Sequence, residues 1–211
     1  MRPGIDRRRV PFWWPLGAKW TRRVRTNEKV LYLTFDDGPI PEVTPWVLET
    51  LKQYDAKATF FCIGANIERY PGVFKDVLDE GHRVGNHTQD HLSGWDTSLF
   101  EYLRNTMACQ QLTRTGLFRP PYGRITLSQA RALAARFRLV FWDVLSEDFD
   151  ANLSAHKCLR NVLAKARPGS IIVFHDSLLA EDRVRYALPR TLEHFAAKGY
   201  RFEALPGGTT V

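Results

Sequence analysis

Five short polar clusters carry the residue types that chemistry needs. Thr34-Phe35-Asp36-Asp37-Gly38-Pro39 places two adjacent acids at the end of an apolar run, where charge is costly unless paired or bound to a cation. Neighbours in an extended segment point in opposite directions, so one acid could face a metal and the other a substrate water. His87-Thr88-Gln89-Asp90-His91 spaces two imidazoles four apart; on a helix they would share one face and could share a cation. With Asp37 they would form a three-ligand set with open positions. In Phe118-Arg119-Pro120-Pro121-Tyr122-Gly123, two prolines stiffen the chain. Such a segment can hold Arg119 against a carboxylate and offer a backbone N–H to a substrate oxygen. Val173-Phe174-His175-Asp176 ends an apolar run with a histidine, whose ordinary pKa suits proton donation to a leaving group. Residues 142–149 gather acids and aromatics after another apolar run. Taken singly, each cluster reads equally well as a turn, a rigid loop or a core histidine.

The elements around these clusters alternate between β and α patterns. Residues 30–35 read as a strand, and Thr44-Pro45 as an N-cap with a first-turn proline. Residues 57–63 form the next strand, ended by Gly64, and a helix follows Pro71 until Gly81 stops it. A short strand over 83–85 leads to His87, and a long helix spans 97–113. Leu117-Phe118 starts a strand; Thr126 and Gln129 make a capping box for a helix through Ala135. Residues 138–144 read as one strand, Ser154 caps a helix to Ala166, and 170–174 is a strand of the kind buried on both faces. A helix over 186–198 and a strand over 200–205 complete about seven strands with intervening helices. This alternation predicts an α/β fold with a parallel sheet, and the clusters sit at the strand ends where such folds bind ligands.

Composition bounds the rest. The 211 residues are 44% hydrophobic and 25% charged, ordinary values for a globular domain. The formal charge is +7, but residues 1–25 hold eight cations and one acid, so the remainder is neutral. A nucleic-acid-binding body with a basic face is disfavoured, and no nucleic-acid partner is expected. The same arm carries three of the six tryptophans; it suits either packing against the domain or peripheral membrane contact through residues 1–25. Three scattered cysteines form no disulfide framework. No apolar stretch follows the N-terminal charges as in a secretion signal, and the expected location is cytoplasmic or peripheral at the inner membrane surface. The expected division is a basic, Trp-rich arm over 1–28 and one domain over 29–211, acting as a monomer.

In this order and at strand ends, the clusters resemble the polysaccharide deacetylase family, metal-dependent carbohydrate esterases with a NodB-type domain. The resemblance spans about residues 29–205 and rests on the Thr-Phe-Asp-Asp-Gly-Pro, His-Thr-x-x-His and Arg-Pro-Pro-Tyr-Gly combination. It implies a single-domain distorted (β/α)7-type barrel that hydrolyses the acetamide of an N-acetylated sugar and releases acetate. It assigns Asp37, His87 and His91 to a divalent metal, zinc foremost with cobalt or nickel as alternatives. Asp36 becomes the general base on the attacking water, and Arg119 its orienting partner. His175 becomes the general acid, with Asp148 holding or tuning its charged neighbours. The backbone N–H of Tyr122 would help stabilise the oxyanion, while Trp142, Val173 and Phe149 would wall the acetyl group or sugar.

Three positions depart from the family pattern. Relatives often carry aspartate where Leu145 stands, tryptophan at Phe149 and leucine at Val173. The substrate wall and the network around Arg119 could therefore differ. Peptidoglycan, a chitooligosaccharide or a lipid-linked precursor are candidate substrates. A small cyclic amide hydrolysed on the same barrel, or a non-catalytic carbohydrate-binding protein, are the alternatives.

Overall fold

The computed structural model of the protein describes residues 20–207. In chain order the strands are β1 (Trp20–Thr21), β2 (Val30–Asp36), β3 (Thr59–Cys62), β4 (Arg83–Asn86), β5 (Leu117–Phe118), β6 (Arg138–Val140), β7 (Val144–Leu145), β8 (Ile171–His175) and β9 (Arg201–Phe202). The helices are α1 (Thr44–Lys52), α2 (Gly64–Arg69), α3 (Pro71–Asp79), α4 (Leu99–Thr113), α5 (Leu127–Ala134), α6 (Ala155–Leu163) and α7 (Glu181–Ala196). All strand pairings are parallel, in the order β1-β6-β5-β4-β3-β2-β8-β7, with β9 beside the start of β2. The curled parallel sheet with its surrounding helices is the distorted (β/α)7-type barrel expected, in a single domain.

Period-2 alternation along β2 divides the core. Leu31, Leu33 and Phe35 join the cluster beneath the helices with Phe60, Ile172, Phe174, Leu188 and Leu192. Val30 and Tyr32 face the barrel interior with Phe61, Leu117, Val140 and Ile171. Each large apolar side chain buried this way contributes about 1.5–3 kcal/mol. The same alternation turns Thr34 and Asp36 inward at the carboxyl end of β2.

Several expected elements take another form. Residues 138–144 are two strands: β6 pairs with β5 and β1, whereas β7 pairs with β8. Gly64 opens α2 directly after β3 instead of only ending the strand. Thr44 lies inside α1, not at its cap; its hydroxyl donates to Asp176 Oδ2 at 2.6 Å. The last helix starts at Glu181 and runs through Pro189. Residues 20–25, read as the end of the arm, lie along the sheet. β1 pairs with β6, Arg23 bridges Ser170, and Val24 N donates to Gly169 O at 2.9 Å. Residues 1–19, where the remaining arm expectations fall, lie outside the described residues. Among the described residues no helix is long and apolar enough to cross a membrane.

Candidate active site

β2 and its neighbours set the geometry. Asp36 stands in register with His175 on β8 and with Phe61 on β3. Arg119, just past β5, reaches across the barrel, and its Nη1 donates to Asp36 Oδ1 at 2.6 Å and to Thr34 Oγ1 at 2.8 Å. Its Nε and Nη2 donate to the carbonyls of Val140 and Phe141 at 3.3 and 3.4 Å. The guanidinium lies 4.1 Å from the Phe61 ring centroid and 5.7 Å from that of Trp142. Arg119 is fully buried, and a buried charge is tolerable only when its donors are answered in this way. Arg119, which the sequence resemblance pairs with Asp36, is in contact with it.

Asp37, His87 and His91 converge, with ligand-capable atoms all within 4.8 Å of one another. Asp37 Oδ1 is 3.1 Å from His91 Nε2 and 3.7 Å from His87 Nε2. The two histidines do not ride on a helix, as their spacing suggested. They lie in a loop after β4, in which Thr88 and His91 adopt φ of 66° and 55°. Thr88 N donates to Asn86 Oδ1 at 2.9 Å, and Leu92 N donates to Thr88 Oγ1 at 3.1 Å. Such left-handed backbone is uncommon for a β-branched residue and clusters at functional sites.

The donor chemistry fits a divalent cation. His87 Nδ1 donates to the Arg119 carbonyl at 2.8 Å, which leaves the Nε2 lone pair aimed at Asp37. Burial pushes the His87 pKa down to about 4, so the ring is neutral as a ligand must be. Burial opposes ionisation of Asp37, but the His91 hydrogen bond and the nearby His175 outweigh it and hold Asp37 well below the usual carboxylate range. His91 Nδ1 meets the Tyr122 hydroxyl at 3.1 Å.

His175 is the second proton-handling group. Asp148, fully buried, accepts from His175 Nδ1 at 2.7 Å and from its backbone N–H at 2.8 Å. Burial disfavours the imidazolium, yet Asp148 together with Asp37 and Asp36 raises the His175 pKa to about 10. The Phe149 ring packs edge-on to it at 5.1 Å. Val173 is buried on the same face of β8, one pleat below His175, and Trp142 lies against Arg119 and Gly123. Tyr122 has φ of 59° and is mostly exposed beside His91. Every residue singled out from the sequence thus falls in or directly beside one site at the carboxyl edge of the sheet.

Other supports carried little sequence signal. Asp176 accepts from Gly38 N at 3.1 Å and from Thr44, and burial raises its pKa to about 8. Asn66 Nδ2 donates to the Asp37 carbonyl at 2.7 Å. Together they fix the Asp37 turn from two sides. Asp176 had the hint of following His175, whereas nothing near Asn66 marked it.

A parallel barrel carrying a His/His/Asp set, an arginine-held acid and an acid-held histidine defines a hydrolase of the metal-dependent type. Comparison with known proteins narrows the class. The polysaccharide deacetylase family model matches residues 23–141. The chain is 37% identical over 190 residues to a Bacillus cereus peptidoglycan-N-acetylglucosamine deacetylase, covering 86% of this chain and 89% of the relative. It is 32% identical over 203 residues to a chitooligosaccharide deacetylase of Azorhizobium caulinodans, covering 87% and 96%. Among solved structures, the Bc1960 peptidoglycan N-acetylglucosamine deacetylase, in complex with 4-naphthalen-1-yl-N-oxidanyl-benzamide, superposes with a TM-score of 0.88 at 33% identity. That match covers 93% of this chain and 95% of the other. The protein belongs to the polysaccharide deacetylase family, hydrolases that act on the acetamide bonds of polysaccharides.

Proposed function

We propose that the protein is an N-deacetylase of peptidoglycan strands, working with a zinc ion held by Asp37, His87 and His91. The observation that carries the reading is the register of β2 with β8. It sets Asp36, clamped by Arg119, beside His175, clamped by Asp148, directly next to the ligand set. Two imidazoles and a carboxylate suit zinc in an open catalytic site. When bound, the ion supplies Lewis acidity toward the acetyl carbonyl and a nucleophile at neutral pH.

The chain's own residues do the remaining work. Asp36 takes the proton of the attacking water, and Arg119 keeps its carboxylate aimed. The Tyr122 N–H, set by the unusual backbone there, donates to the oxygen that gains charge, and such donors gain strength in a dry site. His175 enters the reaction protonated and gives its proton to the departing amine, which otherwise leaves poorly. Similarity to the Bacillus cereus peptidoglycan-N-acetylglucosamine deacetylase supports peptidoglycan as the glycan, and the Azorhizobium caulinodans relative, a chitooligosaccharide deacetylase, supports N-acetylglucosamine as the sugar attacked.

Acetate release from peptidoglycan fragments and N-acetylglucosamine oligomers tests the reading, with metal-stripped protein against protein given zinc, cobalt or nickel. Release should require metal and be greatest with zinc. Asp36→Asn should lower kcat about 10²–10⁴-fold with metal content unchanged. Metal-replete protein that releases no acetate from any glycan would overturn the proposal.

A further inference from the structure

One constellation beside the site is given no task by the chemistry above. The guanidinium carbon of Arg124 lies 5.0 Å from the ring centroid of Trp95 and 5.8 Å from that of Tyr122. The Tyr122 ring in turn lies 4.6 Å from the His91 ring, tilted 60° to it. Tyr122, Arg124 and Trp95 therefore form a row leading away from the ligand set. Trp95 is 53% exposed and Tyr122 61% exposed.

The row is held in place. Gly94 N donates to the Arg124 carbonyl at 3.2 Å, and Gln129 Nε2 donates to the Gly94 carbonyl at 2.9 Å. A Cβ on residue 94 would fall 2.6 Å from the Arg124 carbonyl oxygen. The turn carrying Trp95 is thus fastened to the backbone carrying Arg124, so the indole and guanidinium keep their register.

Other arginines stacked on aromatic rings in this protein spend N–H groups on its own oxygens. Arg119 over Phe61 has Asp36. Arg185 over Trp46 has Glu181. Arg190 over Tyr186 donates to the Tyr186 carbonyl. Arg124 is the exception: among the described residues its guanidinium has aromatic partners but neither a carboxylate nor a hydrogen-bond acceptor. A stacked guanidinium has little rotamer freedom left to lose and presents a planar fork of donors matched to an oxyanion.

We infer that Arg124, held by Trp95 and Tyr122, binds a carboxylate carried by the sugar next to the one being deacetylated. The inference rests on the deacetylase reading and sharpens its substrate to a glycan with acidic residues. The carboxylate has two sources: an acid on the neighbouring sugar itself, as in N-acetylmuramic acid, or a peptide attached through that acid.

The test uses the zinc-loaded full chain and three oligomers of equal length: all N-acetylglucosamine, alternating with N-acetylmuramic acid, and the latter with its acid capped by a peptide. Both kcat/KM and, by calorimetry, the Kd of each deacetylated product are measured. A carboxylate-bearing oligomer should be preferred about tenfold, as a charge-assisted bond at a half-exposed site allows. Arg124→Ala should abolish that preference while changing the neutral oligomer less than about twofold, since a single stacked side chain off the reacting atoms is removed. Whichever acidic oligomer keeps the advantage identifies the source. Equal Kd and kcat/KM for all three oligomers would overturn the inference, as would an equal loss on all three in Arg124→Ala. Absent turnover with the Kd preference intact would instead overturn the deacetylase reading and leave the carboxylate site standing.

Discussion

Asp148 accepts both the backbone N–H and the Nδ1 proton of His175, and this contact sets when His175 can donate. Its charge, against the cost of burial, raises the His175 pKa from 6.5 to about 10. The pair therefore stabilises the fold fully below pH 6.5 and loses that contribution as pH rises toward about 10. Asp148→Asn should move the alkaline limb of kcat/KM down by more than about one unit, because burial then acts unopposed. Urea titrations should show the variant's stability deficit largest at low pH and shrinking as the solution turns alkaline. A purely structural Asp148 would lower stability at all pH values and leave the alkaline limb in place. The residue types of this site were legible in the sequence. Their partners were less so: the Asp37 turn depends on Asn66 and Asp176, and a hydrogen bond between residues 138 positions apart leaves no local pattern.

At the scale of elements, the site depends on how closely neighbouring strands approach. Gly85 on β4 lies beside Phe61 on β3, the ring on which Arg119 rests. A Cβ at residue 85 would fall 2.3 Å from that ring, and the ring has no free space to move into because it is fully buried. Gly85→Ala should thus cost about 1–3 kcal/mol by overpacking. It should also tilt Phe61 against the guanidinium that aims Asp36, so kcat should fall even at temperatures where the variant is fully folded. Thermal melts paired with kcat on a soluble oligomer check both effects; unchanged kcat in a destabilised variant would disconnect Phe61 from Asp36. Strand and helix types were readable from apolar periodicity and caps, as with the Thr126–Gln129 box. The split of 138–144 was not readable, because an apolar run shows burial but not which neighbour each half will pair with. The loop that joins His87 to His91 was also hidden, since four-residue spacing looks the same on a helix and on a turn.

Over the whole molecule, the sheet order begins at β1 and ends at β7, and the chain between residues 21 and 24 ties these regions together. Phe141 N donates to Thr21 O at 2.8 Å, and Val24 N donates to Gly169 O at 2.9 Å. Gly169 leaves no room for a side chain there, since its Cβ would lie 2.0 Å from the Val24 carbonyl. Val24 also packs against the interior cluster of Val30, Leu117 and Ile171. Charge alone assigns all of residues 1–25 to one basic arm, because hydrogen-bonded and free arginines look alike in a sequence. The pairing assigns residues 20–25 to the barrel. Two truncations separate these roles. Removing residues 1–19 keeps every one of these contacts, so acetate release from soluble oligomers should survive it. Removing residues 1–25 should lower Tm by about 5–10 °C, from lost backbone hydrogen bonds and the apolar surface left uncovered between β6 and β8. The damage should be felt on the Trp142 side of the site, which follows β6, so the longer truncation should also raise KM. Equal melting temperatures for the two truncated proteins would mean that the segment rests on the barrel without holding it closed.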